Sequence, residues 1–137
     1  MSSPGAGGGA QAYNNQSYCV TFTGTTDIGN YAFTGTLTFT TPATAAAVTA
    51  CSYWTSGTES GSGSYSTPQT ACSGTINASA GTPLLTLTDG NGNSFMITFI
   101  GGTEILGSYG FSDFGPAGSA AAGGDAAGSL PATYATP

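Results

Sequence analysis

Residues 84–107 read Leu84-Leu85-Thr86-Leu87-Thr88-Asp89-Gly90-Asn91-Gly92-Asn93-Ser94-Phe95-Met96-Ile97-Thr98-Phe99-Ile100-Gly101-Gly102-Thr103-Glu104-Ile105-Leu106-Gly107. Two apolar runs rich in strand formers are split by a turn cluster. A Gly-Gly turn and the start of a third run follow. This is the pattern of a β-meander. It is the most apolar part of the chain, so it is expected to nucleate the core. It carries no catalytic constellation.

Working outward, the same signals continue upstream. Residues 18–23 alternate and read as a first strand, and residues 25–30 as a turn. Residues 31–40 give the cleanest strand. Tyr31, Phe33, Gly35, Leu37 and Phe39 share one face and Thr or Ala the other, with a bend at Gly35. Pro42 breaks it. Residues 45–55 continue with Val48, Ala50, Ser52 and Trp54 on one face and Thr49, Cys51, Tyr53 and Thr55 on the other. Short strands follow at Tyr65 and at residues 72–76. The meander adds strands at 84–88, 94–100 and 103–109. Asp-Gly-Asn-Gly marks a tight hairpin between its first two. Residues 111–116 read as an aromatic loop.

Turn signals at roughly 8–12-residue spacing predict an all-β fold. The expected architecture is an antiparallel β-sandwich or up-and-down barrel of about eight strands, with Gly/Ala-rich extended termini. Residues 1–17 form a flexible or strand-donating segment, 18–116 the β domain, and 117–137 a low-complexity tail. Residues 129–137 at its end suit a short extended segment. Met1-Ser2-Ser3-Pro4 is followed by Gly and Ala, without the basic and apolar regions of an export signal.

The 137 residues include no Lys, no Arg and no His, and six acids set the formal charge at -6. Without a basic group the chain cannot neutralise phosphates, which argues against nucleic acid and against attraction to an anionic membrane. No stretch reaches the roughly 18 apolar residues of a membrane helix. Seven Phe, seven Tyr and Trp54, mostly within alternating patterns, separate the chain from disordered sequences of similar polarity. A hydroxyl-rich surface with little charge suits dense self-packing. It also offers trypsin-like proteases no site. Drift towards small residues in an abundant exported protein explains the same composition.

Cys51 and Cys72 sit in matching Ala-Cys-Ser contexts at facing ends of a hairpin and are the expected disulfide in an oxidising compartment. Closing that loop stabilises by roughly 3 kcal/mol. Cys19 is then free, buried or bonded to another chain; a Cys19–Cys51 pair is the alternative. No His accompanies the cysteines and no C-x-x-C occurs, so neither zinc nor a His-assisted thiol is expected.

The motifs Gly29-Asn30-Tyr31-Ala32-Phe33, Ser62-Gly63-Ser64-Tyr65, Cys72-Ser73-Gly74-Thr75-Ile76 and Asp89-Gly90-Asn91-Gly92 resemble a loose group of exported, uncharacterised bacterial β-meander domains. The likeness covers about residues 29–107. It implies a meander fold and brings no activity with it.

Candidate chemistry is sparse. Asp89, Asn91 and Asn93 present oxygens at alternate positions as a calcium loop does, but lack its distal Glu, and the same residues are strong hairpin formers. Glu59 with Glu104, or Asp27 with Asp113, are the conceivable carboxylate pairs for glycoside hydrolysis, though no spacing singles them out. No G-x-S-x-G elbow or His base is present. The expectation is a protein that is not an enzyme and uses no cofactor. Trp54, Tyr53 and residues 111–114 suit either a sugar-stacking platform or, more simply, core filling. Asn15-Gln16-Ser17 and Asn77-Ala78-Ser79 match the N-glycosylation pattern.

The leading expectation is an extracellular or cell-surface structural protein. It would be a self-assembling subunit of a filament, pilus-like fibre or coat, with copies of itself as partners and glycans as further ones. The donor segment would be residues 13–22, carrying Tyr18, Val20 and Phe22, or else residues 130–134, carrying Leu130 and Tyr134. Backbone pairing of that kind needs no charged side chain. The alternatives are a small exported barrel for an apolar ligand or glycan, and a viral capsid or decoration protein.

Overall fold

Alternation of inward apolar and outward hydroxyl residues sets the architecture. The structure, a computed structural model, describes residues 15–27, 29–61, 63–78, 83–101, 104–114 and 124–131. Among them lie nine strands: β1 (Ser17–Thr25), β2 (Tyr31–Thr40), β3 (Thr49–Glu59), β4 (Gly63–Ser66), β5 (Thr70–Asn77), β6 (Leu84–Thr88), β7 (Ser94–Gly101), β8 (Glu104–Phe114) and β9 (Gly124–Leu130). All belong to one antiparallel sheet in the order β1-β2-β3-β5-β6-β7-β8-β9, with β4 beside the end of β3. The sheet curls into a nearly closed barrel whose two edges are β1 and β9. The expected all-β, barrel-like fold is therefore what forms.

At several interior positions a bulky residue faces glycine or alanine across neighbouring strands. Phe22 faces Gly35, Phe33 faces both Gly24 and Gly57, and Leu87 faces Gly74. On the last pair of strands Tyr109 faces Gly128, Phe111 faces Ala126 and Phe114 faces Gly124. A small residue opposite gives these side chains room in a narrow barrel. Gly35 is the clearest case, because a Cβ there would overlap three atoms of the Phe22 ring.

The rings so accommodated fill the centre. Phe22 lies 4.8 Å from Tyr109 between ring centroids, Tyr109 4.9 Å from Phe111, and Phe111 4.4 Å from Phe114. Tyr53 stacks on Phe111 at 5.7 Å. These are favourable aromatic separations, each adding to the area term of burial.

β3 serves two partners in succession. Thr49–Tyr53 pairs with β5, and Ser56–Glu59 pairs with β4. Thr67 bridges the break: the Thr55 amide donates to Thr67 Oγ1 at 2.8 Å and the Thr67 amide to the Thr55 carbonyl at 2.8 Å. The strand thus runs on past residue 55, and the Ala-rich stretch before Thr49 is turn.

Two further departures from the sequence expectation concern the C-terminal third. Residues 111–114 belong to β8 and do not form a loop. A register shift between Phe111 and Phe114 lets residues three apart both face inward, which a regular strand forbids. The low-complexity segment contains β9, which pairs with β8 through Leu130.

Candidate functional site

The barrel's seam is where its two edge strands meet. Successive antiparallel pairing makes β1 and β9 run in opposite directions, with Asp27 and Asp125 at one end and Ser17 and Leu130 at the other. β1 and β9 lie side by side, yet among the described residues no ladder register joins them. Hydrogen bonds from Asp27, Asp125 and Tyr109 bridge the seam instead. The Asp27 amide donates to the Asp125 carbonyl at 2.6 Å. The Asp125 amide donates to Asp27 Oδ1 at 3.0 Å. The Tyr109 hydroxyl donates to the Thr23 carbonyl at 3.0 Å.

Tyr109 is the clasp. Its Cα belongs to β8, its ring covers Gly128 on β9, and its hydroxyl reaches Gly24 and Thr23 on β1. A Cβ at Gly128 would press on the ring. Burial raises the Tyr109 pKa, so the phenol stays protonated and remains a donor. Beside the clasp lies an open depression of about 430 Å³, lined by Asp27, Ser94, Gly110, Ser112, Asp125 and Ala127 among others.

A second polar cluster ties the meander hairpin down at the same end. Tyr53 donates to Asp89 Oδ2 at 2.6 Å, and Asn93 Nδ2 donates to that oxygen at 2.9 Å and to the Tyr53 hydroxyl at 3.1 Å. The Asn91 and Asn93 amides donate to Asp89 Oδ1 at 2.7 and 3.3 Å. Asn93 Oδ1 accepts from the Ser112 amide of β8 at 3.2 Å. Burial alone would raise the Asp89 pKa. The hydrogen bonds from Tyr53, Asn93 and the two amides outweigh it and hold the carboxyl below its usual range. Burial, and then the bond to Asp89 and its charge, push the Tyr53 phenol well above its usual value.

The oxygens read as calcium ligands are therefore engaged within the protein. Both Asp89 oxygens and the Asn93 side-chain carbonyl accept hydrogen bonds, while Asn91 is exposed at the turn. Among the described residues no group of three or more His, Cys, Asp or Glu side chains converges on a metal-sized site.

The other sequence-marked residues disperse. Cys51 and Cys72 form the disulfide, as directly facing partners of β3 and β5 with Cα atoms 4.8 Å apart. Cys19 is a half-buried free thiol on β1 facing Thr38. Tyr53, Phe111 and Phe114 are core residues, whereas Trp54 is 37% exposed on the other face of β3, so they form no common platform. Glu59 ends β3 and Glu104 begins β8, which places them at opposite ends of the barrel. Asn15 and Asn77 are exposed, Asn15 with a φ of 54°; Ser79 of the second sequon lies outside the described residues.

The segments expected to act as donors take part in the fold. Tyr18, Val20 and Phe22 are 3%, 0% and 3% exposed and fill their own chain's core. β1 pairs with β2 from Ser17 to Thr25, which makes it an integral strand of the sheet. Leu130 is likewise buried. Tyr134 lies outside the described residues. What β1 and β9 have left to offer is their outer edges. Sequence reasoning missed the seam and its clasp, because Tyr109 and Thr23 are far apart in the chain and neither carries a motif.

Compared with models of known protein families, with curated proteins and with solved structures, the chain matches none.

Proposed function

We propose that the protein is an extracellular structural subunit that assembles with copies of itself through the edges of β1 and β9. The observation that carries this reading is the seam. A nine-strand sheet comes nearly full circle and leaves two edge strands that, among the described residues, are joined by the Asp27–Asp125 exchange and the Tyr109 hydroxyl of β8 and by no ladder. Exposed or weakly covered edges are the usual template for pairing with another chain. Main-chain pairing requires no charge, which suits a chain without a single basic residue.

Pairing β1 of one copy with β9 of the next joins two different surfaces and is a heterologous, head-to-tail contact. Head-to-tail contacts that do not close propagate as open filaments. The interior is apolar and the outer faces of β1 and β2 carry Thr, the inverse of a membrane barrel's pattern. The disulfide fits an oxidising compartment. The packed aromatic centre speaks against the alternative of a barrel built around an apolar ligand.

Size-exclusion chromatography at rising concentration, followed by negative-stain microscopy, tests the reading. Open-ended filaments are expected. Closed icosahedral shells would point to the capsid alternative, and a monomer at every concentration refutes self-assembly. Removing residues 1–14 leaves β1 whole; assembly that survives the deletion belongs to the strand edges.

A further inference from the structure

We infer that the seam is a switch: the β1–β9 contact closed within one chain is the contact a second copy makes when the seam parts. This rests on the assembly reading above and adds its control.

The two sides of the seam already fit each other. They run antiparallel, they lie side by side, and at one end they exchange hydrogen bonds through Asp27 and Asp125. A contact that is complementary within a chain is equally complementary between chains, which is the logic of domain swapping. The balance is then set by concentration and by how firmly the intrachain version is latched. Here the latch is light. A continuous ladder of nine register pairs joins β1 to β2, whereas among the described residues no ladder joins β1 to β9, and the Tyr109 hydroxyl and the Asp27–Asp125 exchange bridge the seam.

While shut, the seam hides both edges from other molecules, a recognised way of keeping edge strands from aggregating. Once parted, each subunit presents a β1 edge and a β9 edge at the same time. One pairs forward and the other backward, so growth is open-ended. The clasp residue reports on the switch directly. Tyr109→Phe keeps the ring over Gly128 and removes only the bond to Thr23. Losing one such bond favours the parted form by about 3- to 10-fold, and the initial assembly rate is expected to rise by about that factor.

The decisive experiment locks the seam in the full-length chain. In a Cys19→Ser background, Asp27→Cys and Asp125→Cys are combined and oxidised, and bond formation is checked by mass and thiol titration. The control carries Asp27→Ser and Asp125→Ser. Circular dichroism confirms that both fold. The expected result is that the wild type and the serine control assemble while the locked protein stays monomeric. Assembly of the locked protein at the wild-type rate overturns the switch and leaves self-assembly standing. If the serine control is as inert as the locked protein, the carboxylates rather than the parting of the strands govern assembly, and the switch is again overturned. A wild type that never assembles defeats the underlying reading itself.

Discussion

Replacing Gly35 by Ala tests whether glycine–ring pairing holds this barrel together. The added Cβ would fall on the tip of the Phe22 ring. That ring cannot swing aside, because Tyr109, Phe95, Phe111 and Phe33 surround it at centroid distances of 4.8, 5.7, 6.1 and 6.4 Å. Overpacking of a tight core costs about 1–3 kcal/mol. Against this, Ala in place of Gly restricts the unfolded chain and returns about 0.4–1 kcal/mol. The net expectation is a loss of about 1–2 kcal/mol, or several degrees in Tm for a chain of this size. Phe22→Leu alone opens space and costs about 1–2 kcal/mol by comparison with large-to-small series. The two changes should compensate, since the smaller side chain makes room for the methyl group. In urea unfolding, the double variant should lose less than the sum of the single losses by about 1 kcal/mol. Additivity within about 0.5 kcal/mol, the range seen for independent sites, would refute the pairing.

Two other outcomes are expected. Tyr53→Phe removes the donor to Asp89 and the acceptor for Asn93 and should lower stability by about 1–3 kcal/mol. Because the folded pKa of Asp89 is depressed, its stabilisation is full above the unfolded value of about 3.9 and is lost as pH falls through the lower folded value. The variant's Tm should therefore decline less steeply than the wild type's in acid, which calorimetry between pH 2 and pH 7 would show. Thr49→Val should be neutral or stabilising by up to about 1 kcal/mol. Thr49 is fully buried and its hydroxyl has no hydrogen-bond partner, so a clear destabilisation in urea would show that the hydroxyl is engaged.

Much of this fold is legible in the chain, and the illegible parts have identifiable causes. Tyr31–Thr40 and Leu84–Thr88 are strands with the predicted bounds, because their period-2 alternation spans the whole element. The Cys51–Cys72 pair was readable from matched contexts on facing strands. β9 was not readable: its inward positions Gly124, Ala126, Gly128 and Leu130 show almost no hydrophobic period. They are small because the rings of β8 lean over them, and that constraint is invisible until the two strands are set side by side. The bulge between Phe111 and Phe114 hid the end of β8, since it breaks the alternation by which strands are recognised. Tyr53 and Asp89 are 36 residues apart, and nothing local announces their bond.

The disulfide has a bearing on how long the protein lasts in an oxidising environment. It encloses the latter part of β3, all of β4 and the beginning of β5, together with the polar connections at Ser60, Gly61 and Pro68. Those connections are the natural places for an enzyme to nick the backbone. A cut anywhere between residues 52 and 71 yields two pieces that stay covalently joined, and β2, β3 and β5 remain hydrogen-bonded across the joint. A nick within this disulfide-closed stretch is thereby survivable, as long as the surroundings stay oxidising.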